Sequence, residues 1–205
     1  MDQEPPAIVT EIIHSIAILR FNRPSQRNAL SFSTLQELKS ILSMLLPRDD
    51  VGAIILTGTR DVFASGADIR ELTQLYPAAA HEFSRFGQTL FQSFADAKQI
   101  TIAAINGYCM GGALDMALSC DIRVASKDAV FSHPGAKLGI ITGWGGTQRL
   151  PRIIGRSRAI EFFATAGRYP SEAALEMGLV TRVADPVLDC AFEYARATLA
   201  TASLS

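Results

Sequence analysis

Short runs of β-branched and aliphatic residues alternate with longer amphipathic stretches along almost the whole 205-residue chain. The runs VGAIILTG, ITIAAING and DIRVAS have the length of buried strands, whereas STLQELKSILSMLL places leucine and isoleucine at helical spacing. Before them, AIVTEIIHSIAILRF predicts two strands with a turn near His14–Ser15. Strands that alternate with helices in this way predict an α/β fold, with a sheet joined by crossover helices.

The same alternation continues to the end of the chain. A long amphipathic helix is predicted over about residues 78–97, and shorter helices over 147–154, 158–166 and 171–177. The short strand LVTRV and a helix from about Val187 follow. Ser33 and Gln36 have the spacing of a capping box at the start of the first helix. No repeat or linker divides the sequence, so we expect a single domain over residues 1–205.

Composition excludes several classes of protein. A formal net charge of −1 and a pI near 6.3 leave no basic surface for nucleic acid. No apolar run approaches the roughly 20 residues that cross a bilayer, and the acidic start MDQEPPAIVT is unlike a signal peptide. The three cysteines lack metal-ligand spacing. We expect a cytoplasmic protein with no metal, nucleic-acid or membrane partner.

The segment INGYCMGGALD places a glycine pair at the predicted start of a helix, with Asp115 one turn further on. A helix N-terminus offers free N–H groups and a partial positive charge, and glycine lets a ligand approach that backbone closely. FASGADIREL offers a second such entrance, where Gly66 and Ala67 precede an acid. Either glycine motif alone is more often a sign of close packing. Two backbone donors aimed at one oxygen would form an oxyanion hole for a thioester carbonyl.

Taken together, these segments resemble the crotonase superfamily, the enoyl-CoA hydratase/isomerase family. The matching stretches occur in order over nearly the whole chain and are FNRPSQRNALS, FASGADIREL, AAINGYCMGGALDMALSCDIRVAS, LGIITGWGGTQRLPRIIGRSRA and SEAALEMGLVTRV. The resemblance implies a spiral of βαβ units with C-terminal helices, a homotrimer or hexamer, and an acyl-CoA thioester as substrate. It implies no separate cofactor, because coenzyme A is part of the substrate.

The resemblance also assigns site residues. The amides of Ala67 and Gly112 would hold the oxygen of a thioester enolate, and Asp115 would be a catalytic acid or base. The substrate would be bound near Arg27, Ala29, Ser65, Asp68, Ile69, Gly111, Pro134 and Gly135. Donors fixed on an enolate oxygen bind the transition state better than the ground state, because charge develops on that oxygen during the reaction.

The acids depart from the family pattern. Hydratases of the family share proton transfer between two glutamates, and their positions hold Asp115 and Gly135 here. Gly135 has no side chain, so one proton-transfer group is missing, and such a group typically contributes about 10²- to 10⁴-fold in rate. His133 is one candidate substitute, although a buried structural histidine is the simpler interpretation. Trp144 is expected near the acyl pocket, either as part of the site or as a core aromatic residue.

Family members usually continue for several helical turns beyond the position of the final residues ATLATASLS. The resemblance therefore leads us to expect that the usual C-terminal helical segment is truncated here. Three functions stay open: a hydratase or isomerase of enoyl-CoA, a decarboxylase of malonyl-type thioesters, and a non-catalytic acyl-CoA-binding protein. A decarboxylase would need the oxyanion hole but no strong base at Gly135.

Overall fold

The computed structural model describes residues 5–202. The larger of its two sheets has the order β1-β2-β3-β5-β7-β10, with β1 Ile8–Ile13, β2 Ile16–Phe21, β3 Ala53–Thr57, β5 Ile100–Ile105, β7 Ile122–Ala125 and β10 Arg182–Val183. The smaller has the order β4-β6-β8-β9, with β4 Val62–Ala64, β6 Tyr108–Met110, β8 Val130–Ser132 and β9 Tyr169–Pro170. The β1–β2 and β8–β9 pairs are antiparallel, and the others are parallel. From β3 to β8 the chain adds one strand to each sheet alternately, so the backbone advances as a spiral.

Eight α-helices connect and cover these sheets within residues 5–202: α1 Phe32–Leu45, α2 Ile69–Leu72, α3 Pro77–Ala95, α4 Gly112–Ala117, α5 Gly146–Ile154, α6 Arg156–Thr165, α7 Ser171–Glu176 and α8 Val187–Ala202. The α/β class and the predicted helices are confirmed, with bounds that differ by one or two residues. The capping box at Ser33 and Gln36 is wrong. Ser31 is the N-cap of α1, and its hydroxyl accepts a hydrogen bond from the Thr34 amide.

The central strands β2, β3 and β5 of the larger sheet are buried on both faces, which explains why their residues are mostly apolar. In β3, Ile54 and Leu56 point into the main core, whereas Ala53 and Ile55 point to the opposite face. That opposite face is covered by α8, whose Cys190, Ala191 and Ala195 pack against it. The two-fold alternation of a strand thus divides β3 between two apolar layers.

A buried asparagine fixes the loop between β2 and α1 beside the smaller sheet. The side-chain oxygen of Asn28 accepts the Arg23 amide at 2.8 Å, and its Nδ2 donates to the carbonyls of Val62 and Phe63 at 3.1 and 3.2 Å. These bonds tie the loop to β4. The chain then runs from Leu30, whose amide donates to the Gly66 carbonyl at 2.8 Å, directly into α1.

Asp121 links two neighbouring strands of the larger sheet. One of its carboxylate oxygens accepts both the amide and the hydroxyl of Thr101, each at 2.8 Å. The carboxylate therefore holds the start of β5 against β7.

No helix within residues 5–202 is both long and apolar enough to span a membrane.

Candidate active site

The candidate site lies at the carboxyl edge of the smaller sheet. Strands β4, β6 and β8 are parallel neighbours, and the segments that follow them start at Ser65, Gly111 and His133. Because parallel strands end at the same edge, these segments meet there. They surround a cavity of about 350 Å³, whose other walls come from α2, α3 and residues 138–144. This is an ordinary size for a small-molecule site.

Two backbone amides face this cavity without a backbone hydrogen bond. Within residues 5–202, neither the Ala67 nor the Gly112 amide donates to a backbone carbonyl, and both residues line the cavity. Their loops touch, because a Cβ built on Gly66 would lie 3.1 Å from the Gly112 nitrogen. Gly66 and Gly111 have φ of 91° and 54°, values that glycine adopts without strain. The structure thus brings together two free donors from different strand ends.

Asp115 is buried one turn into α4, and its side chain lines the same cavity. The Thr142 hydroxyl donates a hydrogen bond to its Oδ2. Its Oδ1 has no hydrogen-bond partner in the described part of the chain. A Cβ on Gly146 would overlap this oxygen at 2.1 Å, so the glycine leaves the space that the carboxylate occupies. The carboxylate is therefore held on one oxygen and unpaired on the other.

The side chain of His133 approaches the free oxygen of that acid. Its Nε2 lies 3.7 Å from Asp115 Oδ1, and this nitrogen also lacks a partner among residues 5–202. The ring is buried and packs edge-on against Phe163 of α6, with centroids 5.3 Å apart. Gly135 and Pro134 line the cavity beside it. A Cβ on Gly135 would lie only 2.6 Å from the Ile140 carbonyl oxygen, so the backbone closes over that position.

Trp144 forms the inner wall of the cavity. Its ring packs edge-on against Phe83 and Phe91, at centroid distances of 5.2 and 5.4 Å, and its Nε1 donates to the Phe83 carbonyl at 3.3 Å. The ring occupies space that two glycines leave open: a Cβ on Gly87 or on Gly112 would approach it to 2.3 Å. Trp144 is thus both a buried core residue and a residue that lines the cavity, so both roles considered for it from the sequence apply.

The remaining predicted binding residues divide between the cavity and its surroundings. Ser65 and Ile69 line the cavity, and the Ser65 amide donates to the Arg27 carbonyl at 3.1 Å. Arg27 and Ala29 lie on that adjoining loop, outside the cavity wall. Asp68 lines a neighbouring groove of about 830 Å³.

Asp68 has two bonds of its own. It caps α2 by accepting the Arg70 amide at 2.9 Å, and it forms an ion pair with the Arg70 side chain at 2.7 Å. The hydrogen bond from that guanidinium lowers the pKa of the Asp68 carboxyl. The acid is therefore engaged at the start of α2 and does not line the cavity.

The cavity opens through a rim of exposed apolar side chains. Ile141 is 72% exposed, and Ile69, Leu138 and Ile140 are each about half exposed. All four line the cavity. The mouth is therefore apolar, whereas the two amides and the Asp115 carboxylate lie further in.

The sequence did not reveal Thr142 or Gly146 as partners of the acid. Thr142 lies 27 residues from Asp115 along the chain, and its loop is held by α3. Ser84 and Gln88 of that helix donate to the Gly143 carbonyl at 2.8 and 2.7 Å. The glycines of GWGG around Trp144 are the one local signal that could have pointed to a tight turn there.

Burial raises the pKa of the Cys109 thiol well above its ordinary value, which favours a packing role for that cysteine.

A pair of free amides beside a buried carboxylate defines a class of site: one that stabilises an oxyanion and moves a proton next to it. Comparison with known proteins is consistent with this class. A sequence profile described as "Enoyl-CoA hydratase/isomerase" matches residues 11–203.

Several named proteins are similar over most of the chain. A short-chain-enoyl-CoA hydratase of Clostridium acetobutylicum is 37% identical over 180 residues, which are 87% of this chain and 69% of that protein. A crotonyl-CoA hydratase of Syntrophomonas wolfei is 38% identical over 180 residues, which are also 87% of this chain and 69% of that protein. The crystal structure of an enoyl-CoA hydratase from Bacillus anthracis superimposes with a TM-score of 0.89 at 34% identity, covering 93% of this chain and 75% of that one.

The chain belongs to the enoyl-CoA hydratase/isomerase family of the crotonase superfamily. The crotonase-like fold that the sequence predicted is confirmed. The family's enzymes act on acyl-CoA thioesters. Within residues 5–202, no group of three or more His, Cys, Asp or Glu side chains could hold a metal ion.

Proposed function

We propose that this protein hydrates short-chain 2-enoyl-CoA thioesters, with the enolate oxygen held by the amides of Ala67 and Gly112. The observation that carries the proposal is the position of a buried, half-paired carboxylate, Asp115, in the same cavity as these two free amides. The named relatives are a short-chain-enoyl-CoA hydratase and a crotonyl-CoA hydratase, which supports a short acyl chain.

The geometry supports a reaction in which charge develops on the thioester oxygen. When water adds to Cβ of the enoyl group, electrons move onto that oxygen, where the amides of Ala67 and Gly112 offer two hydrogen bonds. Each such donor typically lowers the activation barrier by on the order of 3 kcal/mol. Asp115 faces the same space and accepts the proton of the attacking water. The chemistry needs no cofactor beyond the coenzyme A of the substrate.

The first test is product analysis with a panel of crotonyl-, longer enoyl-, malonyl- and methylmalonyl-CoA. We expect the wild-type protein to convert crotonyl-CoA into the 3-hydroxyacyl thioester and to leave the malonyl thioesters intact. Loss of carbon dioxide from malonyl- or methylmalonyl-CoA without hydration would instead identify a decarboxylase. Binding measured by calorimetry, with no product from any thioester, would identify an acyl-CoA-binding protein.

We also propose a single-domain, cytoplasmic protein that assembles as a homotrimer or hexamer. The resemblance to the crotonase superfamily supports the assembly, because members of that superfamily usually form trimers or dimers of trimers. Light scattering at micromolar concentration should give a mass of three or six chains. A stable monomer of about 22 kDa would contradict this proposal.

A further inference from the structure

We infer that His133 supplies the second proton-transfer group of this active site and that it works as a pair with Asp115. The inference rests on the proposed hydration reaction and names a residue that takes the part of the missing second carboxylate.

Two unpaired polar atoms face each other in the cavity. Asp115 Oδ1 and His133 Nε2 are 3.7 Å apart, and each lacks a hydrogen-bond partner within residues 5–202. Both side chains are more than nine-tenths buried. An unpaired polar group buried in this way typically costs about 1–3 kcal/mol, so such groups usually serve a ligand or a reaction. One water oxygen at a hydrogen-bond distance of about 2.8 Å can reach both atoms at once.

The imidazole also lies beside the position where the family has its second acid. A Cβ on Gly135 would be 3.3 Å from His133 Nδ1, so the ring fills the space next to the absent side chain. It is held there by Phe163 on one side and by the turn of residues 134–138 on the other. Imidazole titrates near neutral pH, which suits a group that must give up a proton during turnover.

The proton transfers balance with water as the one added reactant. The Asp115 carboxylate takes a proton from water while the water oxygen bonds to Cβ, and the π electrons of the double bond move to form the enolate. The imidazolium of His133 then gives its Nε2 proton to Cα as the enolate electrons return. Finally the proton on Asp115 passes to His133, which restores a carboxylate and an imidazolium.

The titratable and charged groups around the pair come from several elements. Cys109 and Arg149 interact electrostatically with Asp115. Burial raises the pKa of the cysteine well above its usual value, and the arginine stays cationic although burial lowers its pKa. Facing His133 from α6 is the apolar Phe163. The nearby charged residues of the turn at 134–138 and of α6 are exposed, and they are Lys137, Arg156, Arg158 and Glu161.

The kinetic test compares His133→Gln with His81→Gln, a matched change at an exposed histidine of α3. Glutamine keeps a hydrogen-bonding side chain but cannot transfer a proton. We expect His133→Gln to lower kcat for crotonyl-CoA by about 10²- to 10⁴-fold with a much smaller change in KM. The pH profile of kcat in His133→Gln should differ from that of the wild type, because one of the two proton-transfer groups is then missing. His81→Gln should match the wild type in both respects.

A second measurement does not depend on turnover. The chain has only three histidines, so their ring signals can be followed by NMR, and His133 is assigned by the signal lost in His133→Gln. Asp115 Oδ1 lies 3.7 Å from the His133 ring, so Asp115→Asn should move the His133 ring signal and leave those of His14 and His81 in place.

Each outcome decides the inference. A displaced His133 ring signal in Asp115→Asn together with the kcat loss and altered pH profile of His133→Gln supports it. An unmoved ring signal, or a wild-type kcat and pH profile in His133→Gln, overturns it while wild-type hydration leaves the proposed function intact. If the wild type hydrates no enoyl-CoA, the proposed function fails, and a displaced ring signal alone would then show a contact without a role in proton transfer.

Discussion

Replacing Asp115 with asparagine is expected to lower the rate of crotonyl-CoA hydration by about 10²- to 10⁴-fold, the usual contribution of a general acid or base. Asparagine has nearly the same shape, and its side-chain oxygen can still accept the hydrogen bond from the Thr142 hydroxyl. What it loses is the ability to take a proton at the unpaired Oδ1 position. Steady-state kinetics with crotonyl-CoA measure the effect, and calorimetry with a thioester checks that binding is retained.

Asp121→Asn is the matched control for this substitution. That acid holds Thr101 at the surface end of the larger sheet, outside the cavity, so the same chemical change should leave the hydration rate at the wild-type value. Thermal unfolding of both variants checks that each is folded before the rates are compared. A wild-type rate in Asp115→Asn would show that another group takes the proton from water.

The long periodic segments were predictable because each carries its own signal. The helix α1 has apolar residues on one face for its whole length, and the core strand β3 begins with the apolar run AIIL. Strands β4, β6 and β8 have three residues each, which is too short for any periodicity to appear. These three strands make up the smaller sheet together with the two-residue β9, so the element that carries the site was the one that the sequence did not predict.

The N-cap of α1 shows how a distant contact decides a local detail. Both Ser31 and Ser33 have the residue type of an N-cap. Glu71 of α2 accepts the Phe32 amide at 2.7 Å, so the first amide of the helix is satisfied from 39 residues away. The helix therefore begins at Phe32, and Ser33 lies within it. Local spacing alone could not include this bond.

The components of the site were predictable singly, but their arrangement was not. The glycine motifs indicated free amides at two helix entrances, and Asp115 is one helical turn from Gly112. The approach of His133 to Asp115 depends on the parallel pairing of β6 with β8, which places Met110 opposite Ser132. That pairing puts α4 and the turn after β8 at the same edge of the smaller sheet. No local sequence pattern reports it, because the paired strands are separated along the chain by α4 and β7.

Gly112 offers a test of the oxyanion hole that separates the amide from the side chain. Gly112 is the first residue of α4, where proline is tolerated because the N–H has no intrahelical partner. Gly112→Pro removes the proposed donor, and Gly112→Ala keeps it. Both variants add a Cβ that would lie 2.3 Å from the Trp144 ring, so both disturb the inner wall of the cavity. Each single variant should therefore lose activity.

We expect the proline variant to lose a further 10²- to 10³-fold or so in kcat relative to the alanine variant, the typical effect of one oxyanion-hole donor. The comparison is best made with Trp144→Leu in both proteins, because the smaller side chain gives the added Cβ room and makes the backbone positions alike. Circular dichroism and thioester binding confirm that the two double variants fold and bind equally. Equal kcat values for the two would mean that the Gly112 amide does not hold the enolate oxygen, since the one difference intended between them is that N–H. A proline variant that is slower by the expected factor, with KM nearly unchanged, places the lost interaction in the transition state and not in the bound thioester.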